Sequence, residues 1–286
     1  MTGLFVKNPY LRSPAFDALY ALVEDAAIAA GISLVALDSS TLAIPLDESL
    51  PQADFALFWD KDITLAKRLL DGGIPVFNAP DTIRVCDSKA ETAVALQTAG
   101  VKTPRTILAP FTYEGVGYSD LSFVQNACRA LGLPIVIKEA YGSFGEQVYL
   151  AHTEEEALAI AARIGARPFL FQEFIAPAFG TDIRANVVGD TVVCAMRRHG
   201  KAGDFRSNIA AGGSGEAYTP TDAECELAVR AARAVGAHFA GVDILSGEGG
   251  APFICEVNAS PLFVGSYRAT GVNLATHILT HIQKHI

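Results

Sequence analysis

The chain has 286 residues, of which 50% are hydrophobic and 19% are charged, and its formal net charge at pH 7 is −9. This composition is typical of a globular protein with one large domain or two to three small ones. The acidic balance argues against a general nucleic-acid-binding protein. Since no apolar run approaches the length of a membrane span and the N-terminus lacks an export signal, we expect no membrane partner.

The first 80 residues alternate strand and helix patterns. The predicted helix that begins after Ser13 has proline at its first position, a common helix start. Strand and helix alternation predicts a parallel sheet with helices on its faces, without the glycine-rich dinucleotide fingerprint after its first strand. The predicted strands cover residues 4–6, 33–37 and 55–59, and a second predicted helix covers 64–70.

We interpret Asn78-Ala79-Pro80 as a domain boundary. The segment that follows again mixes helices and strands, and Thr153 with Glu156 predicts a capping box at the start of its last helix. The predicted helices cover residues 87–99, 123–131 and 154–164, and the predicted strands cover 106–108, 135–138 and 147–150.

The remainder is rich in strands, interrupted by one helix whose predicted capping box is Thr221 with Glu224. A final helix is predicted from about residue 273. The whole chain is therefore predicted to be α/β, with a parallel N-terminal part and antiparallel sheets after it. The predicted strands cover residues 169–174, 182–188 and 191–197, and a hairpin covers 240–261.

Three polar residues interrupt the two apolar strands of this hairpin. Side chains alternate along a strand, so Glu256 and Asn258 share a face, and a turn near Gly249 places Asp243 opposite Glu256. Paired carboxylates repel each other and are costly to bury. A divalent cation removes both objections, and oxygen ligands suit Mg²⁺ or Mn²⁺ better than zinc. The alternative is a solvated hairpin face.

Three further segments suit an anionic nucleotide, although each has an ordinary alternative. Lys138 precedes a turn in which Gly142 and Gly145 allow backbone N–H groups to approach phosphate oxygens, but most such turns are merely hairpin turns. The segment 172–184 combines a strand end with Asp182 and Arg184, which equally fits a core strand and a surface ion pair. The basic segment 197–206 suits a mobile lid, or a solvated loop.

Taken in order, these segments resemble the ATP-grasp superfamily, and within it the RimK-type ligases, which add glutamate to a ribosomal protein. The resemblance covers about residues 78–280. The phrases that carry it are Gln172-Glu-Phe-Ile175, Asp182-Ile-Arg184, Gly203-Asp-Phe-Arg-Ser-Asn208, Ala240-Gly-Val-Asp-Ile-Leu245 and Glu256-Val-Asn-Ala-Ser-Pro261.

The resemblance implies an ATP-grasp fold with a Rossmann-like pre-ATP-grasp domain at residues 1–80, a central subdomain at 81–170 and a C-terminal subdomain with the metal site at 171–286. It implies that Asp243, Glu256 and Asn258 bind two Mg²⁺ or Mn²⁺ ions. Catalytic roles are predicted for Arg184, Arg197 and Arg206. The residues predicted to bind ATP are Lys89, Lys138, Gly142, Ser143, Gly145, Gln172, Glu173, Phe174, Ile175, Asp182, Arg206, Ser207 and Asn208.

The resemblance also implies a reaction. Such ligases phosphorylate a carboxylate with ATP, and an amine then displaces phosphate to give an amide. The expected substrates are therefore small carboxylates and amines, such as glutamate or another amino acid joined to a peptide, a protein terminus or a metabolite. The resemblance further implies a homo-oligomer. A catalytically silent ATP-binding regulatory protein with the same fold is the alternative.

The chain departs from the RimK-type pattern beside the metal ligands. It reads Leu262-Phe-Val-Gly265 where those ligases usually have Gly-Leu-Glu-Gly, and Phe144 stands in the glycine-rich turn where they have a polar residue. We therefore carry over the nucleotide but not the identity of the substrate.

The cysteines and the C-terminal histidines are given ordinary interpretations. The five cysteines are odd in number and include no CxxC pair, so we predict buried thiols in a reduced cytoplasm. His277, His281 and His285 follow helical spacing. We favour a solvated helix face for them over a metal site.

Overall fold

The computed structural model describes residues 1–143, 145–207 and 212–286. Asn208 and Phe144, both singled out above, lie outside these ranges. The described part contains three sheets with helices on their faces, which confirms the predicted α/β class.

The N-terminal sheet is parallel, as predicted, with the strand order β2-β1-β3-β4. Ser13 caps the first helix through its side chain, and Pro14 is the first helical residue, as predicted. The strands are β1 (Thr2–Lys7), β2 (Ser33–Asp38), β3 (Phe55–Trp59) and β4 (Val76–Phe77), and the helices are α1 (Pro14–Ala29) and α2 (Ile63–Asp71).

The predicted helix over residues 87–99 is present but slightly shorter, and a further helix precedes it. Two helices occupy this region, α3 (Pro80–Asp87) and α4 (Lys89–Thr98). Ser88 separates them because its backbone is extended and its hydroxyl accepts a hydrogen bond from Glu91 N–H, which caps α4.

The central sheet is antiparallel, with the strand order β5-β8-β6-β7. Phe169 and Phe171 pack against the two helices that cover it. Thr153 caps the second helix, but Glu156 accepts a hydrogen bond from His152 N–H and not from Thr153, so the predicted capping box is wrong. The elements are β5 (Thr106–Leu108), α5 (Ser122–Leu131), β6 (Ile135–Glu139), β7 (Val148–Ala151), α6 (Glu154–Ile164) and β8 (Phe169–Glu173).

The C-terminal sheet is also antiparallel, with the order β11-β10-β9-β12-β13. The predicted capping box of Thr221 and Glu224 is present. The elements are β9 (Thr181–Val188), β10 (Thr191–His199), β11 (Ser214–Tyr218), α7 (Asp222–Ala234), β12 (Phe239–Ser246), β13 (Pro252–Asn258), α8 (Val264–Thr270) and α9 (Leu274–Gln283).

The N-terminal sheet docks on the C-terminal sheet through a shared apolar core. Trp59 stacks on Phe239 with ring centroids 5.5 Å apart. The side-chain amide of Asn78, only 1% exposed, donates to the carbonyls of Phe239 and Ala259 at 2.8 Å. These contacts hold the carboxyl ends of β1 and β3 beside the hairpin formed by β12 and β13.

No helix in the described ranges is long and apolar enough to cross a membrane.

The C-terminal histidines differ from one another in their surroundings. His277 and His285 are exposed, as the predicted solvated face requires. His281 is half-buried, and its Nε2 lies 3.1 Å from Nδ1 of His238. In the part of the chain that the structure describes, no group of three or more His, Cys, Asp or Glu side chains has a geometry that holds a metal.

Replacing His281 with glutamine is expected to flatten the pH dependence of stability between pH 6.5 and 4. Burial, and then the charges of His285 and His238, lower the pKa of His281 to about 4. The unfolded chain, with a histidine pKa of about 6.5, then binds a proton that the folded chain does not, so stability falls as the pH falls through this window. We expect the substitution to remove about 1 kcal/mol of this change in unfolding free energy, allowing for the solvent exposure of the side chain. Urea unfolding at several pH values measures the change. His277→Gln is the control, and equal slopes in both variants would contradict the expectation.

Candidate active site

A cavity of about 550 Å³ lies where the three sheets meet. The sequence-predicted site residues come together here, with Arg197 as the exception among those described. The predicted residues that line the cavity are Lys89, Lys138, Gly142, Ser143, Gly145, Gln172, Glu173, Phe174, Ile175, Asp182, Arg184, Arg206, Ser207, Asp243, Glu256 and Asn258.

The hairpin presents its three polar residues to the cavity in the predicted register. Asp243 is directly opposite Glu256, and Gly241 is opposite Asn258. The turn contains Gly249 with a φ of 64°, a left-handed conformation that suits glycine. The cross-strand pair of carboxylates is therefore confirmed.

Asp243 belongs to a buried cluster of two carboxylates and two guanidinium groups. Arg184 donates to both of its oxygens, with Nη2 2.9 Å from Oδ2, and Arg198 Nη2 lies 2.9 Å from Oδ2. Burial acts to raise the pKa of Asp243, but the charges of the two arginines outweigh it and hold that pKa below its usual range. Asp243 is therefore an ionised carboxylate whose oxygens are already engaged.

Asp182 is the second carboxylate of this cluster. Both of its oxygens accept from Arg198, with Nε 2.6 Å from Oδ1. Burial raises the pKa of Asp182, and the charge and hydrogen bonds of Arg198 only partly offset this effect. The side chain therefore faces a guanidinium group, and its predicted contact with ribose stays a prediction.

Glu256 and Asn258 supply the less engaged oxygen donors. Within the described residues Glu256 makes no ion pair and Asn258 Oδ1 accepts no hydrogen bond, while Asn258 Nδ2 donates to Gly241 O at 3.4 Å. A carboxylate and an amide oxygen suit a hard divalent cation. The donor set fits such an ion at these two residues, with Asp243 shared between the ion and its arginines.

Two lysines lie beside this acidic edge. Burial is the main cause that lowers the pKa of Lys89, opposed by the charge of Glu256 and reinforced by Lys138. Lys138 is only 8% exposed, and its ammonium donates to Cys255 Sγ at 3.4 Å. Two partly desolvated ammonium groups next to a cation site suit a polyphosphate.

Three cationic side chains hold the glycine-rich turn after β6. Lys89 donates to Gly142 O at 2.9 Å, and Arg206 donates to Gly145 O at 2.8 Å. Lys61 donates to Ser143 Oγ at 3.2 Å and forms an ion pair with Asp87. Lys61 was missed in the sequence, where the only signal is a cation just after the strand at 55–59.

The end of β8 forms the wall opposite the hairpin. Gln172 Nε2 donates to Thr106 Oγ1 at 3.0 Å, and Glu173 accepts from the N–H of Arg105 at 3.1 Å. These side chains fasten β8 to β5, so the chain leaves the sheet at Phe174 with its backbone beside the cavity. Such a backbone edge can pair with the polar edge of a purine.

Comparison with known families assigns this arrangement. The RimK-like ATP-grasp domain family matches residues 86–282. The chain belongs to this family. The predicted family and the ATP-grasp fold are therefore confirmed.

Similar proteins agree with this membership. The ATP-grasp chain is 36% identical over 215 residues to a probable alpha-L-glutamate ligase of Trichodesmium erythraeum, covering 74% of this chain and 69% of that protein. It is 44% identical over 156 residues to the ribosomal protein bS6–L-glutamate ligase of Escherichia fergusonii, covering 54% and 52%. The chain spans about half the length of most curated relatives that it matches.

A solved structure shows that the likeness extends to the whole ATP-grasp chain. The RimK domain protein of Sphaerobacter thermophilus superposes with a TM-score of 0.74 at 24% identity, covering 98% of this chain and 99% of that one. The likeness therefore includes the N-terminal sheet, which the family match does not reach.

The predicted role of Arg197 requires a correction. Its guanidinium carbon lies 4.4 Å from the ring centroid of Tyr218, and the side chain does not line the cavity. Neighbouring residues of a strand point to opposite faces, so Arg198 faces the cavity instead. In this ATP-grasp chain Arg198, which was missed, is the cation that contacts both buried carboxylates.

Proposed function

We propose that the chain is an ATP-dependent carboxylate–amine ligase that forms an amide bond through an acylphosphate. The observation that carries the proposal is the cavity itself, where Glu256 and Asn258 face a wall with two partly desolvated lysines. The naming of relatives as glutamate ligases supports an amino acid as one substrate.

In the proposed reaction, a carboxylate oxygen attacks the γ-phosphorus of ATP, and ADP leaves. The amine nitrogen then attacks the carbonyl carbon of the acylphosphate, phosphate leaves and the nitrogen loses a proton. Lys89 and Lys138 would hold the phosphates, and the backbone at Glu173 and Phe174 would hold adenine. Arg184 and Arg206 would balance the charge that develops.

We propose that Glu256 and Asn258, with Asp243, hold two Mg²⁺ or Mn²⁺ ions. When bound, these ions would neutralise the charge of the phosphates and orient them.

The three subdomains would be residues 1–80, 81–170 and 171–286. The boundary between the second and third subdomains would fall inside β8, and the whole of β8 pairs within the central sheet.

For the amine acceptor we propose a peptide, a protein terminus or a metabolite. We also propose a homo-oligomer that acts in the reducing cytoplasm, where its five free cysteines would stay reduced.

Incubation with ATP, Mg²⁺ and mixtures of amino acids and peptides is expected to release ADP and phosphate in equal amounts. Each γ-phosphoryl group passes to a carboxylate and is then displaced, so one phosphate accompanies each amide formed. Coupled assays for both products, with mass spectrometry of the amide, test this expectation. Release of AMP and pyrophosphate would contradict the acylphosphate route. ATP binding without any product would favour a silent regulatory protein.

A further inference from the structure

Half of the cavity wall has no role in the binding of ATP proposed above. It consists of the carboxyl end of the N-terminal sheet, the first turn of α1 and the segment that follows the hairpin. In the order β2-β1-β3-β4, β2 lies on one side of β1 and β3 on the other, so the strand order reverses at β1. Ligands of open α/β sheets bind at such a point, outside the carboxyl ends of the strands. The wall includes Leu11, Phe16, Trp59, Asp60, Leu262 and Arg268.

Asp60 is the polar centre of this half. It directly follows β3 and is 7% exposed. Its Oδ1 accepts from Nδ2 of Asn8 at 3.0 Å and from the N–H of Lys61 at 2.7 Å. Across residues 1–143, 145–207 and 212–286, Oδ2 accepts no hydrogen bond and the carboxylate makes no ion pair. Because Asp60 lines the cavity, an ammonium group bound there would supply a charged partner for Oδ2.

The surroundings of Asp60 are mostly apolar. Phe16 lies in the first turn of α1, and Leu262 packs against the core cluster that contains Trp59. Leu262 is also where the chain departs from the RimK-type pattern. Arg268 is exposed and donates no hydrogen bond to any residue that the structure describes. Among the described residues, the half-cavity therefore combines a carboxylate with one unengaged oxygen, apolar side chains and an exposed guanidinium group.

We propose that this half-cavity binds an α-amino acid with an apolar side chain as a substrate of the ligase. The ammonium group contacts Asp60, the side chain packs against Phe16 and Leu262, and the carboxylate lies on the side of Arg268. The inference rests on the proposed function. It specifies that the amino acid substrate has an apolar side chain and is not glutamate. A glutamate side chain would leave its carboxylate desolvated against the apolar wall.

Isothermal titration of the full chain, with Mg²⁺ and a non-hydrolysable ATP analogue, tests the inference. L-Leucine is expected to bind at least about 10-fold more tightly than L-glutamate, because only its side chain gains from leaving water. Asp60→Asn is expected to weaken L-leucine by about 30-fold or more, with the affinity for the ATP analogue unchanged. Unchanged affinity for the analogue also shows that the variant is folded.

Two controls separate the contributions. Asp47→Asn changes an exposed carboxylate of the same N-terminal region and is expected to bind L-leucine as the wild type does. Phe16→Ala is expected to weaken the binding of L-leucine but not that of glycine, because glycine has the same charged groups and no side chain. Glutamate binding as tightly as leucine, or equal leucine binding by Asp60→Asn and wild type, would overturn the inference. Leucine binding that depends on Asp60 without ADP release would support this site and overturn the ligase reaction.

Discussion

Replacing Glu256 with glutamine is expected to lower ligase turnover by about 10³-fold while the chain stays folded. Glutamine keeps the shape of the side chain and removes the charge that faces Asp243 across the hairpin. Since Asp243 is bound to two arginines, Glu256 is the carboxylate of the pair that is free to neutralise a cation at the phosphates. The turnover number for ADP release at saturating ATP, measured with the thermal midpoint, tests this expectation.

Glu248→Gln is the matched control for this measurement. Glu248 lies in the exposed turn of the same hairpin, so its replacement removes the same charge without touching the cavity. Its turnover is expected to equal that of the wild type. Turnover of Glu256→Gln within threefold of the control would remove Glu256 from the cation site.

The hairpin site could be predicted because its residues contradict their local pattern. An acid inside an apolar strand is costly to bury, so its presence points to a function. Alternation along each strand then fixes which side chains share a face. The pairing of Asp243 with Glu256 depends in addition on an irregularity of the ladder between Asp243 and Ile244, which the sequence does not mark. The parallel and antiparallel sheets could also be predicted, because they depend on short-range patterns of apolar residues.

The choice between Arg197 and Arg198 could not be made from such a pattern. The pairing of β9 with β10 shifts between Val192 and Cys194, where β10 has an irregularity. A shift of one residue reverses the faces of every side chain that follows. Nothing in the sequence marks this shift, so alternation counted from the start of β10 fails four residues before Arg197.

Asp60 and Lys61 were missed for a different reason. A charged residue after a strand is common, and these two contact the cavity only because the N-terminal sheet docks beside the hairpin. That docking depends on Asn78, which bonds to carbonyl groups more than 160 positions later. Contacts at such separations leave no periodic signal in the sequence.

Replacing Arg198 with methionine is expected to cost about 3–5 kcal/mol of unfolding free energy at pH 7. The guanidinium group contacts both Asp182 and Asp243, and its side chain is 12% exposed. Its removal leaves two buried carboxylates with only Arg184 to balance them, and an uncompensated buried charge is the costly result of breaking such a cluster. Urea unfolding followed by circular dichroism measures the loss.

Arg197→Met is the matched control, because it removes the same charge from the neighbouring position. Arg197 stacks on Tyr218 outside the cavity, and its loss is expected to cost less than about 1 kcal/mol. Equal losses in the two variants would contradict the assignment of Arg198 to the buried cluster.

The double variant Arg198→Met/Asp182→Asn separates charge from packing. It removes the carboxylate that Arg198 Nε contacts at 2.6 Å, so it is expected to be more stable than Arg198→Met alone. The loss in Arg198→Met should also shrink as the pH falls. Burial already raises the pKa of Asp182, and without Arg198 its folded pKa rises further above the unfolded value. As the pH falls through that raised pKa, the folded chain takes up the proton and the unbalanced charge disappears. A loss that stays constant with pH would mean that Arg198 stabilises the fold by packing and not by charge.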